Sequence, residues 1–382
     1  GARPKTNGQE HMEEQIYSLD GIFLYLPIQD FLLEGQMLEG LPSLFGFADL
    51  VPYSFSCDIT EFAVIIILLE IYLFWKVGEW GISPDLKSRG ILPHIEMKKI
   101  LFLTTGGTIS CVATEDGLEP TLSGNDILTS VPELRTLGEI TVKDLTKIDS
   151  SNVVPQDWSS WATLIGDNYT EYDGFVLTHG TDTMAYTASA LSYMLVNLGK
   201  PVVLTGSQVP LSLSNSDARS NLELAFTIAS SGLPGVFVAF GNKVIKALLQ
   251  KIFTRNFNAF ESVNEAPVLF FDKNGIKRPP RRRNVGGFRV ESKMEEKVMA
   301  LTVTPGLKPD IIDYAVQRGY KGIVLECYGA GGVNTGRDNL LPAIRRAIKA
   351  GVRMVCVSQC LFDGVDLSLY PMGILAAQAG VE

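Results

Sequence analysis

Short, continuously apolar runs alternate with longer segments of helical spacing from residue 97 onward, and this alternation restricts the fold more than any other feature of the chain. The apolar runs are ILFL (100–103), GFVLT (174–178), PVVLTG (201–206) and GVFVAFG (235–241). Parallel strands covered on both faces have such unbroken apolar sequences. The segments 183–200 and 216–232 carry apolar residues at helical spacing and end near a glycine, as helices between strands do. The pattern predicts an α/β fold with a doubly wound, flavodoxin-like parallel sheet.

A second, shorter series of the same kind follows after about residue 290. It consists of VMALTVT (298–304), GIVLECYG (322–329), LLPAIRRAIKAG (340–351) and VRMVCVSQ (352–359). The segment 262–297 is rich in proline, glycine and charge, which is typical of an inter-domain connection. We therefore expect a larger domain over 97–290, with its connector from about 262, and a smaller α/β domain over 291–382. The final residues, 374–382, have the pattern of the first half of a helix, so we expect the smaller domain to be truncated.

The first 96 residues have a different character. An apolar run at 59–75 is interrupted by Glu61 and Glu70 and is shorter than the roughly 20 residues that a membrane crossing needs. Three interpretations remain: a membrane anchor, a buried helix, or an upstream extension that is not part of the working protein, which would then begin at Met97. The charges within the run argue against a membrane location.

Composition limits the classes of partner. The net charge of -9 gives no general attraction to nucleic acid, which binds clustered lysine and arginine. The basic run KRPPRRR at 277–283 is either an exposed connector or a phosphate-binding patch, and its prolines favour the connector. Five cysteines without paired spacing and three histidines predict neither a disulfide framework nor a metal site. A reducing compartment, the cytoplasm, fits this composition best.

Three predicted strands end in the same kind of residue. The loops that follow them are TTGGT (104–108), THGTDT (178–183) and TGSQ (205–208). Ligands of an open parallel sheet bind outside the carboxyl ends of its strands, so we expect these loops to line one crevice. Glycine allows close backbone approach, and Ser or Thr supplies short donors and a candidate nucleophile. Each loop alone is also compatible with a simple tight turn.

Phosphate binding is the main rival explanation for glycine-rich strand ends. The chain contains no G-x-x-x-x-G-K-[ST] motif, and no G-x-G-x-x-G follows the first strand. The glycine-rich stretch GAGGVNTG (329–336) lacks the third glycine at the required offset. A nucleotide site is therefore not indicated.

The motifs TGGTI (105–109) and HGTDTM (179–184) together resemble the paired signature of the bacterial L-asparaginase family, particularly its cytosolic type I branch. The similarity covers about three quarters of the chain and extends through KIDSSNV (147–153), PVVLTGSQVP (201–210), FNAFESVNE (257–265) and SQCLFDGVDLSLYPMG (358–373). The resemblance implies hydrolysis of L-asparagine, and to some extent L-glutamine, to the acid and ammonia without a metal or organic cofactor. It also implies a homodimer or homotetramer.

The same resemblance implies roles for individual residues. Thr108 matches the nucleophilic threonine, Thr181 and Asp182 match a second threonine with its acid, and Lys251 matches the lysine that pairs with them. The chemistry is reasonable, because a threonine hydroxyl needs a base or a polarising neighbour. A lysine partly removed from water can act as such a base.

The substrate's α-amino and α-carboxylate groups need opposite partners. By the resemblance, Asp182 suits the ammonium, and Ser150 with Ser151 suits the carboxylate, while Asp149 and Gly180 line the same pocket together with Thr181. Backbone N–H groups beside the two threonines are suited to hold the oxyanion.

Simpler explanations exist for each of these residues. Thr108 can bond the backbone of its own turn, Asp182 can cap a helix that begins at Thr183, and Lys251 can lie in solvent. His179 is expected to pack rather than act as a base, because no other histidine or orienting acid accompanies it in sequence.

Two stretches depart from the family pattern. The stretch GNKVIKALLQK (241–251) lacks the glycine and arginine expected after NKVI and is one residue short, and the loop 110–124 contains no tyrosine. Two other functions therefore stay open. One is the glutamine-hydrolysing subunit of a tRNA-dependent amidotransferase, and the other is a non-catalytic amino-acid-binding remnant.

Overall fold

The computed structural model describes residues 97–115, 117–264, 269–272, 275–276 and 286–382. The apolar run 59–75 and the basic run 277–283 lie outside the described residues, and so do the interpretations that depend on them. Within the described ranges, no helix is long and apolar enough to cross a membrane.

Strands and helices alternate along the chain as the sequence predicts. In chain order the strands are β1 (Lys99–Gly106), β2 (Cys111–Thr114), β3 (Gly117–Pro120), β4 (Glu139–Ile148), β5 (Gly174–Thr178), β6 (Leu195–Val196), β7 (Pro201–Thr205), β8 (Gly235–Phe240), β9 (Lys243–Lys246), β10 (Leu249–Lys251), β11 (Phe260–Ser262), β12 (Leu269–Asp272), β13 (Gly275–Ile276), β14 (Arg289–Val290), β15 (Val298–Thr302), β16 (Gly322–Cys327) and β17 (Arg353–Ser358). The α-helices are α1 (Gly124–Ser130), α2 (Pro155–Asp167), α3 (Met184–Met194), α4 (Ala218–Ser230), α5 (Asp310–Gln317), α6 (Leu341–Lys349) and α7 (Pro371–Gln378).

The large sheet confirms the doubly wound prediction. Its strand order is β13-β12-β9-β8-β7-β5-β1-β4, and β4, β1, β5, β7 and β8 pair in parallel. Strands β9, β12 and β13 extend the sheet in antiparallel fashion. The order of the parallel strands reverses between β1 and β5, and ligands of open α/β sheets bind at such a switch point.

Both faces of this sheet are covered by helices. Along β1, Ile100 and Phe102 lie in a buried cluster with residues of α1 and α4. The alternating residues Leu101 and Leu103 lie in a second buried cluster with residues of α2 and α3. Burial of each such side chain contributes about 1.5–3 kcal/mol, so the two clusters fix the strand ends on which the site depends.

Strand β4 is a component that the search for unbroken apolar runs missed. All of its residues are exposed or half-buried, because it lies at the edge of the sheet and, among the described strands, pairs only with β1. An edge strand is solvated on one side, and its sequence EITVKDLTKI therefore mixes charged and apolar residues.

The smaller domain contains a second parallel sheet, β15-β16-β17, with α5 and α6 between its strands and a separate buried cluster. The prediction that 374–382 is the first half of a helix was wrong. Helix α7 begins earlier and ends at Gln378. The last residue runs beside β17, where the Glu382 N–H donates to the Met354 carbonyl at 2.9 Å.

The segment predicted to connect the domains also contributes strands. Strand β12 extends the large sheet through β9, and β14 pairs with β6. The helix predicted over 183–200 correspondingly ends at Met194, because Leu195 and Val196 pair with Val290 and Arg289.

Candidate active site

Three loops at the carboxyl ends of β1, β4 and β5 touch one another through their backbones. A Cβ atom at Gly107 would lie 2.4 Å from the backbone nitrogen of Gly180, and one at Gly180 would lie 2.5 Å from Ser150 Oγ. Gly107 also has a positive φ of 78°, which side chains other than glycine rarely tolerate. A Cβ atom at Gly206 would likewise lie 2.3 Å from the His179 carbonyl oxygen. The predicted convergence of the loops 104–108, 178–183 and 205–208 is therefore confirmed, whereas the participation of the β4 loop was not predicted.

Thr108 begins a short 3-10 helix, Thr108–Ser110, directly after these glycines. The side chain is half-buried. Within the described part of the chain, no group hydrogen-bonds its hydroxyl, so the alternative in which Thr108 bonds the backbone of its own turn is not what the structure shows. The hydroxyl is free to meet a ligand.

Lys251 connects the second threonine to an acid. Its Nζ donates to Thr181 Oγ1 at 2.8 Å and to Asp182 Oδ1 at 2.6 Å. The Lys251 side chain is only 17% exposed, so it does not extend into solvent. Lys251 thus lies within hydrogen-bond distance of the two residues with which the resemblance pairs it.

The acid of this group remains accessible. The Asp182 side chain is 64% exposed, and it pairs with Lys251 instead of capping α3. That helix begins at Met184, and its N-cap residue Thr183 makes no side-chain capping bond. A ligand ammonium could therefore reach the Asp182 carboxylate from the crevice side.

The β4 loop contributes a second acid and two serines. Asp149 accepts hydrogen bonds from the Ser151 N–H at 2.8 Å and the Ser151 hydroxyl at 2.6 Å. The hydroxyl bond, followed by the backbone bond, holds the pKa of Asp149 below its usual range. Ser150 is 4% exposed, and its carbonyl accepts the Thr183 hydroxyl at 2.7 Å. The Ser151 hydroxyl is therefore already bonded to Asp149. The Ser150 hydroxyl is the more available of the two.

The sequence predicted no individual role for Gln208, but in the structure its side chain lies beside Thr181. Its Oε1 lies 3.5 Å from Thr181 Oγ1, and its Nε2 donates to the Asn256 carbonyl at 3.1 Å. The signal was present, because Gln208 ends the TGSQ loop that was predicted to line the crevice.

A buried carboxylate fixes the backbone of that third loop. Asp217 is 6% exposed and accepts the N–H groups of Gln208, at 3.0 and 3.1 Å, and of Val209, at 3.1 Å. The Asn221 side chain donates to the same carboxylate at 3.0 Å and to the Gly206 carbonyl at 2.9 Å. The spacing of residues 216–232 predicts only a helix. It does not separate Asp217 and Asn221 from ordinary polar residues on a helix surface.

His179 is a packing residue, as expected from the sequence. It is fully buried, its ring lies edge-on to Trp161, and both ring nitrogens are bonded. Because a carbonyl only accepts, Nδ1–H donates to Gly180 at 2.7 Å, and Nε2 then accepts the Thr187 hydroxyl at 2.9 Å. Trp158 Nε1–H completes the chain by donating to the same hydroxyl at 2.9 Å.

Burial lowers the pKa of His179 to about 4, although the Gly180 bond and the charge of Asp157 oppose this shift. Since the unfolded chain binds this proton near pH 6.5, stability should fall as the pH drops from about 6.5 to about 4. We expect wild type to lose about 2 kcal/mol more unfolding free energy between pH 7 and pH 5 than His179→Gln. Urea unfolding of both proteins at the two pH values measures this difference.

Other titrating groups contribute equally to the pH dependence of wild type and of His179→Gln, because both proteins contain them. His11 and His94 are present in each. Equal pH dependence of the two proteins would contradict the lowered pKa, whatever the absolute stability of the variant.

In the described part of the chain, no group of three His, Cys, Asp or Glu side chains lies close enough to hold a metal ion. Its four cysteines, Cys111, Cys327, Cys356 and Cys360, are free thiols.

The polar groups at the strand ends are hydroxyls, a lysine and carboxylates, and these groups support acyl-transfer chemistry. The fold and these strand-end groups define a two-domain α/β protein whose candidate site suits acyl transfer.

Comparison with known families agrees with this class. The asparaginase N-terminal family profile matches residues 99–282, and the glutaminase/asparaginase C-terminal domain profile matches 297–381. The chain therefore belongs to the asparaginase/glutaminase family, and the resemblance carried by the two threonine motifs is confirmed.

Individual relatives include two kinds of enzyme. An L-asparaginase of Thermococcus kodakarensis is 40% identical over 287 residues, which are 74% of this chain and 87% of that protein. A glutamyl-tRNA(Gln) amidotransferase subunit of the same organism is 36% identical over 315 residues, 78% of this chain and 71% of that protein. Among solved structures, L-asparaginase I of Vibrio cholerae superposes with a TM-score of 0.66 at 32% identity, covering 75% of this chain and 87% of that one.

Proposed function

We propose that the protein is an L-asparaginase that hydrolyses L-asparagine to L-aspartate and ammonia through a threonine nucleophile. The observation that carries the proposal is the position of Lys251, which donates to Thr181 Oγ1 at 2.8 Å and to Asp182 Oδ1 at 2.6 Å. This group adjoins the Gly107–Thr108 turn through the Gly107–Gly180 contact. The loop that carries the free Thr108 hydroxyl therefore contacts the loop that carries the polarised Thr181 hydroxyl.

In the proposed reaction, Thr108 Oγ1 forms a bond to the side-chain carbonyl carbon of asparagine. The Thr108 proton passes through the Thr181 hydroxyl, which Lys251 polarises, to the departing nitrogen. The C–N bond then breaks and ammonia leaves. Water cleaves the resulting ester to give aspartate and restores Thr108. Each well-placed oxyanion donor, here the N–H groups of Thr108 and Thr181, contributes about 10²- to 10³-fold in rate.

The charged ends of the substrate find complementary groups in the same crevice. We assign the α-ammonium to Asp182 and to Asp149, whose lowered pKa keeps it anionic. The α-carboxylate is assigned to Ser150, with Ser151 supporting it through its bond to Asp149. We place Gly180 between the ammonium-binding and carboxylate-binding residues, because it contacts Ser150 directly.

The test is ammonia release by the purified full chain from L-asparagine and from L-glutamine. We expect turnover of both amides with asparagine preferred. Binding of L-aspartate by calorimetry without ammonia release would instead indicate a non-catalytic amino-acid-binding remnant. Failure of both binding and turnover in a folded protein would overturn the assignment of the crevice.

A glutamine-hydrolysing subunit of a tRNA-dependent amidotransferase is the second candidate. The 36% identity to the amidotransferase subunit of Thermococcus kodakarensis favours it. The higher identity of 40% to the L-asparaginase of that organism supports the first candidate. A value of kcat/KM for glutamine above that for asparagine would favour the amidotransferase.

We further propose a homodimer or homotetramer in the cytoplasm. Tyr186 and Tyr193 lie seven residues apart on α3 and are 66% and 74% exposed, so this helix presents aromatic surface of the kind that interfaces use. The free thiols of the described cysteines fit a reducing compartment. Light scattering of the purified chain would distinguish a monomer from either oligomer.

A further inference from the structure

The carbonyl group of Gly107 is held by an unusual number of donors. It accepts the Ser110 hydroxyl at 2.9 Å, the Ser110 N–H at 3.1 Å and the Cys111 thiol at 3.4 Å. Ser110 is 1% exposed and Cys111 is 6% exposed, so these donors approach from the protein interior. The direction of the Gly107 carbonyl is therefore fixed.

A fixed carbonyl also fixes the N–H group on the other side of the same peptide. In a planar trans peptide, the carbonyl of Gly107 and the N–H of Thr108 point in opposite directions. Since the carbonyl faces the interior, the Thr108 N–H faces away from it. Among the described residues, no acceptor takes this N–H, so it remains available at the crevice.

The second threonine loop is built on the same plan. The Gly180 carbonyl accepts Nδ1–H of the buried His179 at 2.7 Å, and the ring cannot turn freely because its Nε2 is bonded to Thr187. The Thr181 N–H is thereby aimed away from His179. The close approach of Gly107 to the Gly180 backbone brings the two threonine loops into contact.

We propose that Ser110 and Cys111 are positioning residues that aim the Thr108 N–H at the developing oxyanion. This inference rests on the proposed amidohydrolase function. Neither side chain reaches the substrate, since both end on the Gly107 carbonyl. Their contribution belongs to the transition state, where negative charge appears on the amide oxygen, and not to binding of the neutral amide.

The test compares full-chain wild type with the double variant Ser110→Ala/Cys111→Ala. The Ser110 N–H bond survives in the variant, so the peptide is loosened and the oxyanion donor is weakened without being removed. We expect kcat for asparagine to fall about 10- to 100-fold, below the full value of one donor. We expect KM to change less than about threefold, because interactions made only in the transition state alter kcat.

Two single variants separate positioning from general packing. Cys111→Ser keeps a donor for the Gly107 carbonyl and should keep kcat within about threefold of wild type. Thr146→Val removes a hydroxyl that donates to the Thr105 carbonyl at 3.1 Å, on a peptide that carries no oxyanion donor. This matched control should also keep its kcat.

An active wild type whose double variant keeps full kcat would overturn the positioning role alone. A rise in KM at constant kcat would overturn it as well, because that pattern indicates a binding role. If the double variant does not fold, Ser110→Ala alone should show a smaller kcat loss at constant KM, and its absence decides against the proposal. No ammonia release by wild type would overturn the proposed function and this inference together.

Discussion

Replacing Thr108 by alanine should lower kcat for asparagine by at least ~10³-fold, since removal of a nucleophile leaves only binding and oxyanion stabilisation. The cost to stability should be small, because no described residue hydrogen-bonds the Thr108 hydroxyl and the side chain is only half-buried. Ammonia release under saturating substrate measures the effect. Thermal unfolding of the same samples checks that the variant is folded.

Two further substitutions serve as controls for Thr108→Ala. Thr108→Ser keeps a hydroxyl at the same position and should recover a substantial part of the rate. Thr136→Ala removes a hydroxyl whose only described bond is to the Glu133 carbonyl, on an exposed turn, and should be fully active. Retention of a tenth of wild-type kcat by Thr108→Ala would rule out a nucleophilic role.

The strand ends of the site were predictable because their strands are buried on both faces. GFVLT at 174–178 corresponds residue for residue to β5, and all five of these residues are buried. A strand of this kind has no solvent-facing positions, so its sequence is continuously apolar and its end is marked by the first polar residue. The loops with Thr108 and Thr181 could be located for this reason.

The edge strand β4 and the polar residues behind the loops could not be located in the same way. Asp149 directly follows β4, whose sequence EITVKDLTKI mixes charged and apolar residues and contains no unbroken apolar run. Asp217 differs from other helix residues only because it accepts hydrogen bonds from the backbone N–H groups of Gln208 and Val209. Such bonds depend on where a loop folds back, which spacing along the chain does not encode.

The position of Lys251 depends on a hairpin rather than on the sequence that leads to it. Lys251 pairs with Phe260 across β10 and β11. Phe260 is 2% exposed and packs edge-on against Phe240 at 5.1 Å between ring centroids. Because the core anchors the far strand, the β10–β11 pairing sets the position of Lys251 beside Thr181.

Lys251→Met should lower kcat by ~10²- to 10³-fold with a smaller effect on KM, because general acid–base or relay groups act in the transition state. The methylene stem is retained, so the packing of this largely buried side chain, 17% exposed in the structure, changes little. Loss of Nζ leaves the Thr181 hydroxyl without its donor and Asp182 without its counter-charge. Steady-state assays with asparagine, run beside wild type at the same pH, measure the effect.

Lys243→Met provides a matched control in the same domain. Lys243 forms an ion pair of nearly equal length and burial, with Nζ 2.7 Å from Glu261 Oε2 and its side chain 16% exposed. This pair has no threonine neighbour among its described contacts, so its loss should change stability while kcat stays within about threefold of wild type. A comparable fall in kcat for both lysine variants would mean that ion pairs of the hairpin maintain structure only.

A double variant tests whether Lys251 and Thr181 act as one unit. If they do, Lys251→Met combined with Thr181→Val should lose no more than the larger of the two single losses, because the effects of residues in one relay are not additive. The measurement is kcat for asparagine in wild type, both single variants and the double variant. Additive losses would show that the two residues act separately and would contradict the relay through Thr181.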